Sequence, residues 1–296
     1  MRTLRNARLV YIAAPFLLAS CSESSIFRSA GPIGDADTTI LLDALVIMLL
    51  IVVPTIVAIL LFAWWFRASN DKALHLPRWE YSGRVELVVW SIPALVVLFL
   101  GGVAWIGSHD LDPATPINQT KPLEVEVVSL DWKWLFVYPE QRVASINRLV
   151  IPAGRPVRFR ITSASVFNSF FIPRLGSQIY TMNGMVTQLN LMARHPGTYH
   201  GLSAQFSGDG FSDMGFTVDA LAEPDFEKWV AKAQASGPVL DETAYRALLK
   251  QSIVRTPYTY RDVTPHLFDL VVAQILPPGQ GPVSTAARPK FSNPPH

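Results

Sequence analysis

Glu86 is an ionisable residue that could transfer protons, because it directly precedes an uncharged run from Leu87 to Ile106. A run of about 20 apolar residues is long enough to cross a bilayer as a helix. Ionisable groups at membrane helices often belong to proton relays. A carboxylate at a helix N-terminus is also favoured by the helix dipole in any protein. Both interpretations, proton uptake and helix-end charge, stay open from position alone.

Cys21 is the second residue with distinctive chemistry and the only cysteine in the chain, so no intramolecular disulfide can form. A basic start and a short apolar run, Leu9 to Leu18, precede it, which is typical of a signal peptide. The sequence Leu18-Ala19-Ser20-Cys21 resembles the lipobox of bacterial lipoproteins. We therefore expect a signal peptide over residues 1–20 and lipidation of Cys21. The alternative is an inert cysteine behind an uncleaved or differently cut leader.

Two apolar segments must position these residues, and we predict transmembrane helices at about 42–66 and 86–107 within an N-terminal segment 21–112. The loop from Arg67 to Arg84 carries an excess of Lys and Arg, which places it in the cytoplasm. Both ends of the hairpin then face outward. Pro54 and Pro93 lie inside the spans, where they indicate either a packed partner or a simple kink.

The overall composition agrees with a membrane protein and argues against nucleic-acid binding. Hydrophobic residues make up 50% of the chain and charged residues only 16%. The formal charge is +2, but Arg2, Arg5 and Arg8 belong to the predicted leader, and removing them leaves about −1. No basic stripe interleaved with aromatic residues is present in the sequence. We therefore expect no nucleic-acid partner.

Beyond the Pro-rich linker Asp112–Pro116, the hydrophobic period becomes two, as in strands. Leu123, Val125 and Val127 alternate with polar neighbours, and turn signals separate several such segments. This pattern predicts a β-sandwich over residues 113–222. Residues 225–235 and 241–252 show helical patterns, within a predicted C-terminal helical extension at 223–276. A Pro/Gly-rich flexible tail is predicted at 277–296.

Three motifs then become recognisable together: Asp131-Trp132-Lys133-Trp134, Asn168 to Gln178, and Ser207 to Met214. They resemble subunit II of haem-copper terminal oxidases. The order of leader, two helices, sandwich and extension is similar to that of the quinol-oxidising, cytochrome bo-type branch. The resemblance implies a membrane α plus all-β protein, with a two-helix transmembrane hairpin followed by a cupredoxin-like β-sandwich and a short C-terminal helical extension.

The resemblance also implies where copper would bind. In the cytochrome c-oxidising branch, a dinuclear copper centre is held by two His, two Cys, a Met and a Glu carbonyl, with soft thiolates bridging the metals. Here Asn168 and Phe211 stand at the His positions, Ser203 and Ser207 at the Cys positions, and Gln205 at the Glu position. Only Met214 is retained. We expect no metal and no cofactor in this chain, and the missing ligands argue against a copper-bearing cytochrome c oxidase subunit.

Other residues near these positions have simpler interpretations. His195 and His200 flank the turn Pro196-Gly197, and we expect surface or satisfied side chains there rather than a replacement metal site. Trp132 and Trp134 lie in a segment that is near the electron entry of the copper-bearing relatives. Without copper, packing against the sandwich or a membrane subunit is the favoured interpretation.

The resemblance finally predicts the functional setting. It implies a non-redox subunit II of a proton-pumping ubiquinol oxidase, with haems, copper and quinol oxidation assigned to subunit I. Partners would be subunit I, smaller subunits, membrane lipids and, through the complex, ubiquinol. Glu86 would mark the cytoplasmic mouth of a proton pathway. The protein would lie in the bacterial inner membrane, with the lipid anchor and β-domain on the periplasmic side. The alternative is a stand-alone membrane-anchored lipoprotein with a ligand-binding or sensing sandwich.

Overall fold

The computed structural model describes residues 26–74, 76 and 78–281. The predicted signal peptide and Cys21 lie outside the described residues, as do residues 282–296 of the predicted tail. The chain forms two compact units, a helical unit Ala36–Asp112 and an outer unit made of the residues up to Asp35 and those from Pro113 onward.

Two helices correspond to the predicted spans, α1 (Pro32–Trp65) and α2 (Gly83–Asp110), and both are long and apolar enough to cross a membrane. The first turn of α1, up to Asp35, belongs to the outer unit. α1 begins about ten residues before the predicted span, because proline is well suited to the first turn of a helix and the polar residues that follow continue it. Gly107 of α2 lies close to Ile40 of α1, where an added Cβ would come within 2.6 Å of the isoleucine side chain. The apolar side chains in the middle of both helices are exposed within the chain, so they require lipid or another protein to cover them.

The outer unit is built on two main sheets. The six-stranded sheet has the order β12-β3-β2-β1-β5-β8, and the five-stranded sheet has the order β4-β10-β9-β6-β7. The strand bounds are β1 (Leu123–Leu130), β2 (Lys133–Tyr138), β3 (Val143–Ile146), β4 (Arg148–Pro152), β5 (Val157–Ser163), β6 (Asn168–Phe171), β7 (Ile179–Thr181), β8 (Thr187–Leu191), β9 (Gly197–Ser203), β10 (Gly215–Leu221), β11 (Val239–Leu240), β12 (Tyr258–Tyr260) and β13 (Asp262–Val263).

Between these two sheets lies the core that the alternating pattern predicts. Leu123, Val125 and Val127 are fully buried there. Trp134 contributes the largest ring, and its centroid lies 5.4 Å from that of Phe170 in the facing sheet. The prediction of two apolar helices followed by a cupredoxin-like β-sandwich is thus confirmed.

A second core covers the outer face of the six-stranded sheet, and the C-terminal extension supplies its other half. The extension includes α3 (Glu223–Ala235), α4 (Glu242–Leu248) and α5 (Leu267–Val272). The second core joins residues of β1, β2 and β3 to residues of the extension: Val128, Leu130, Leu135 and Ile146 on the sheet, and Leu240, Tyr245, Leu267, Phe268 and Val271 opposite. The extension is more than helical, because β12 pairs antiparallel with β3 and lengthens the sheet.

Lys133 lies on this covered face and is fully buried. Its ammonium group donates hydrogen bonds to the carbonyl oxygen of Lys250 at 2.8 Å and to the hydroxyl of Ser252 at 2.7 Å. Burial lowers the pKa of Lys133 to about 8. Close by, Asn147 donates to the carbonyl of Val254 at 2.8 Å. These two side chains donate hydrogen bonds to backbone carbonyls of the irregular segment around Lys250 to Val254. Within the described part of the chain those carbonyls have no helix or strand partners, and buried backbone groups need a partner.

The first described residues of the predicted tail are also attached to the outer unit, since Gly279 donates its backbone N–H to the carbonyl of Ala164 at 2.8 Å. The segments that precede and follow the helical unit are both hydrogen-bonded near β8. Arg194 donates its backbone N–H to the carbonyl of Ala30 at 2.9 Å, and Asn190 donates backbone and side-chain N–H groups to the carbonyl of Pro113, each at 3.0 Å. These anchors lie within a single short stretch, Asn190 to Arg194.

Candidate functional site

The predicted copper-ligand positions gather at one end of the five-stranded sheet. Asn168 begins β6, Ser203 ends β9 and Met214 directly precedes β10, and these three strands are neighbours in the order β10-β9-β6. Ser207 lies in the loop that follows β9. All four side chains are buried, and we refer to Asn168, Ser203, Ser207 and Met214 as the cradle.

The cradle residues are hydrogen-bonded to one another. The Ser203 hydroxyl donates to the amide oxygen of Asn168 at 3.1 Å, and the Ser207 hydroxyl donates to the Met214 sulfur at 3.4 Å. The backbone N–H of Ser203 donates to the Met214 carbonyl at 3.3 Å. A buried polar group without a partner costs about 1–3 kcal/mol. The network therefore stabilises three polar side chains, Asn168, Ser203 and Ser207, that an apolar core would otherwise disfavour.

Two further residues, which the sequence analysis missed, extend this network inward. Ser129 of β1 and Thr181 of β7 are buried and share a hydroxyl–hydroxyl hydrogen bond of 2.8 Å. The amide nitrogen of Asn168 approaches the Ser129 hydroxyl at 3.5 Å. The available signal was Ser129 itself, a small polar residue between the apolar neighbours Val128 and Leu130.

The donor set of the cradle does not fit a copper pair. Hydroxyl and amide groups are poor substitutes for the bridging thiolates that hold soft copper, and here they are committed to each other. Among the described residues, no group of three or more His, Cys, Asp or Glu side chains could hold a metal ion. The side chains at this place therefore do not support copper-based electron transfer.

Of the remaining predicted positions, Gln205 joins the network through its backbone. The residue is exposed, but its carbonyl accepts a hydrogen bond from the Ser203 hydroxyl at 3.3 Å. Phe211 is half-buried and packs against Phe206, with ring centroids 5.6 Å apart. His195 and His200 are both exposed, as their positions near a turn suggested.

The two tryptophans of the Asp131–Trp134 segment donate hydrogen bonds to backbone carbonyls of the cradle. Trp134 is fully buried, and its indole N–H donates to the carbonyl of Met214 at 3.1 Å. Trp132 has a left-handed φ of 67° and its indole N–H approaches the carbonyl of Ser207 at 3.4 Å. An added Cβ at Gly210 would come within 2.2 Å of the Trp132 ring, which explains the glycine there. Both tryptophans make packing contacts within the outer unit.

Glu86 lies in the first turn of α2, whose N-cap is Ser82. Its backbone N–H donates to the carbonyl of Ser82 at 3.0 Å, and its side chain is exposed within the chain. Among the described residues, Glu86 forms no ion pair. The carboxylate is thus available to solvent or to another subunit, while the helix N-terminus favours its negative charge.

The fold and the family models define the class of this protein. Residues 123–221 match the model described as cytochrome c oxidase subunit II, periplasmic domain, and residues 234–279 match the COX aromatic rich motif. The outer domain is therefore that of an oxidase subunit II, and its second match falls on the extension that covers the six-stranded sheet.

Curated relatives narrow the class to a family. The ubiquinol oxidase subunit 2 of Acetobacter aceti is 46% identical over 91% of this chain and 88% of its own length. Cytochrome bo(3) ubiquinol oxidase subunit 2 is 44% identical in Pseudomonas aeruginosa, over 88% of this chain and 79% of the relative. In Buchnera aphidicola it is 47% identical, over 79% and 81%. The chain belongs to the ubiquinol oxidase subunit 2 family, and the resemblance seen in the sequence motifs is confirmed.

If the cradle corresponds to the copper site of the other branch, restoring its ligands should restore metal binding. We predict that Asn168→His, Ser203→Cys, Ser207→Cys and Phe211→His together, with the native Met214, allow the chain to bind two copper ions. Metal analysis and a visible absorption band from copper–thiolate bonds would measure this. The native chain should show neither.

The matched control carries only Asn168→His and Phe211→His, and should lack the band because no thiolate is present. A folded fourfold variant that binds no copper would show that the cradle is not the equivalent of the copper site.

Proposed function

We propose that this chain is a non-redox subunit of a membrane ubiquinol oxidase, which oxidises quinol and reduces oxygen to water while pumping protons. The observation that carries the non-redox role is the cradle, where mutually hydrogen-bonded hydroxyl and amide groups occupy the ligand positions. An electron-transfer centre needs ligands that these groups do not provide. The chain supports the redox partner instead.

On this proposal the haems, the copper of the oxygen site and the quinol pocket belong to subunit I. The two helices contact that subunit and the membrane lipids with their exposed apolar side chains, such as Leu50 at 70% and Trp90 at 75% exposure. Pro54 and Pro93 support a packed partner, because a neighbouring helix or ordered water can satisfy the carbonyls that a proline leaves unbonded. The outer domain caps the complex on the periplasmic side.

Co-purification tests this assembly. An affinity-tagged full-length chain, extracted in mild detergent from its own host, should bring haem absorption bands with it, together with quinol-dependent oxygen consumption. A colourless, monodisperse chain without oxidase activity would contradict the proposal and favour the alternative of a stand-alone lipoprotein with a sensing sandwich.

We further propose that Glu86 is the entrance of a proton pathway that continues in subunit I. Its support is the place of an exposed carboxylate in the first turn of α2, at the end of the apolar helix that joins the basic loop. The excess of Lys and Arg in that loop favours the cytoplasmic side. A carboxylate there can take up a proton from the cytoplasm and release it to a water chain in the partner.

The Glu86→Gln substitution keeps the size of the side chain but replaces the carboxyl group with an amide, which cannot take up and release a proton. We expect oxygen turnover with quinol to fall about tenfold, equivalent to roughly 1.4 kcal/mol in the barrier, with a larger deficit at high pH, where protons are scarce. Glu86→Asp should recover part of the activity.

The matched control is Glu80→Gln, which removes an exposed carboxylate from the loop that precedes α2. Haem content should be normal in all three variants. Unchanged turnover of Glu86→Gln across the pH range would return Glu86 to the role of a helix-end charge.

We also propose that the mature protein begins at a lipidated Cys21 and crosses the inner membrane twice, with both ends outside. The sequence supports this twice, through the lipobox and through the charge of the loop. Intact mass spectrometry of the purified chain should show loss of residues 1–20 and the added mass of acyl chains. A Cys21→Ser variant should lack that mass yet stay in the membrane fraction, because α1 and α2 remain. A native chain with a free Cys21 thiol would contradict lipidation.

A further inference from the structure

The margin of the second core contains a charged cluster that joins the extension to the six-stranded sheet. Arg160 of β5 donates to Glu126 of β1 at 2.6 Å and to Asp269 of α5 at 3.0 Å. Its guanidinium also lies over the ring of Phe268, 4.8 Å from the centroid. One cation therefore links the sheet to α5. Two carboxylates share it, so the three groups carry a net charge of −1 when both are ionised.

Glu126 is the buried member of this cluster. Its side chain is 11% exposed, against 32% for Arg160 and 51% for Asp269. Alternation along β1 places Glu126 on the outer face, where the extension now covers it. Undocking of the extension would return this carboxyl group to water, while Arg160 and Asp269 would change their solvation less.

A cavity of about 260 Å³ gives protons a route to Glu126. It lies between the outer face of the sheet and the turn before α5, and Glu126, Val137, Arg142, Pro265, His266 and Asp269 are among its lining residues. The cavity is open to solvent and has room for several water molecules. Glu126 can thus exchange its proton without the extension leaving the sheet.

Several charged groups face Glu126 from the surrounding elements. Glu124 lies on the same strand and pairs with Arg158, while Arg142 pairs with Asp262 of β13. His266 lies 3.5 Å from the second oxygen of Asp269. Burial raises the pKa of Glu126 to about 7, and the charges of Asp269 and Glu124 act in the same direction, whereas Arg160 opposes them.

We propose that Glu126 is a proton-sensitive latch, whose protonation tightens the docking of the C-terminal extension on the six-stranded sheet. A carboxyl group with a higher pKa in the docked state binds its proton more tightly there than in the undocked state, whose pKa is near 4.5. Docking is therefore strongest below about pH 4.5, weakens as pH rises from about 4.5 to 7, and is constant above that range. The latch makes the extension responsive to the pH of the compartment that surrounds the outer domain.

Hydrogen exchange of the complete oxidase complex, reconstituted in lipid nanodiscs, tests the latch. After correction for intrinsic exchange, opening of α5 should increase between about tenfold and about a hundredfold from pH 5 to pH 7.5, since each pKa unit corresponds to a factor of ten. Amides of β9, in the sheet that the extension does not cover, should show no such change. Unchanged protection of α5 over this range would overturn the proposal.

Glu126→Gln should abolish the pH dependence and keep α5 protected at pH 7.5 as strongly as the native chain at pH 5. The matched control is Glu124→Gln, on the same strand and face, which should keep most of the native response. Asp269→Asn provides a second variant, because removing its charge should lower the pKa of Glu126 in the docked state and so narrow the pH range over which docking weakens. A Glu126→Gln variant that retains the native pH response would also overturn the latch.

Discussion

The six-stranded sheet must bury both of its faces, and the rest of the outer unit follows from that constraint. Its inner face meets the five-stranded sheet, and its outer face meets the C-terminal extension. On a sheet covered on both sides, buried polar groups need hydrogen-bond partners in the covering layers. Lys133 is therefore bonded to carbonyls of the extension, and Trp134 on the opposite face is bonded to the carbonyl of Met214.

The same constraint governs the cradle. In the copper-bearing branch the metal pair would cross-link the loops at this end of the sandwich, and here hydrogen bonds among Asn168, Ser203 and the backbone of Met214 connect the same loops. Neutral hydrogen bonds contribute about 0.5–1.5 kcal/mol each. They fix the positions of the loops without redox-active ligands, as the proposed supporting role requires.

Much of this organisation could be predicted from the sequence, because period-two alternation and long apolar runs report directly on burial. Leu123, Val125 and Val127 are buried where the pattern placed them. The pattern could not show that Glu126 would be covered, since its partner surface comes from residues more than 130 positions later, around Asp269. A three-residue strand such as β12 carries too little alternation to be recognised.

The cradle was predicted for a different reason. Its residues were located by correspondence with the ligands of a known family, whereas Ser129 and Thr181 have no counterpart among those ligands and were missed. Their buried hydroxyls become meaningful only once the strands are assembled. Likewise, the early start of α1 at Pro32 depends on backbone hydrogen bonds that polar residues make as well as apolar ones.

The attachment of both flanking segments to the stretch from Asn190 to Arg194 makes the helical unit an insertion in the outer unit. The chain leaves the outer unit after Asp35 and returns at Pro113. The segment before the departure is hydrogen-bonded to Arg174, Leu175 and Arg194, and the returning segment is hydrogen-bonded to Asn190. Such an arrangement is modular. The membrane segment can vary in length or sequence during evolution while the two attachment points, and with them the surrounding β-structure, stay as they are.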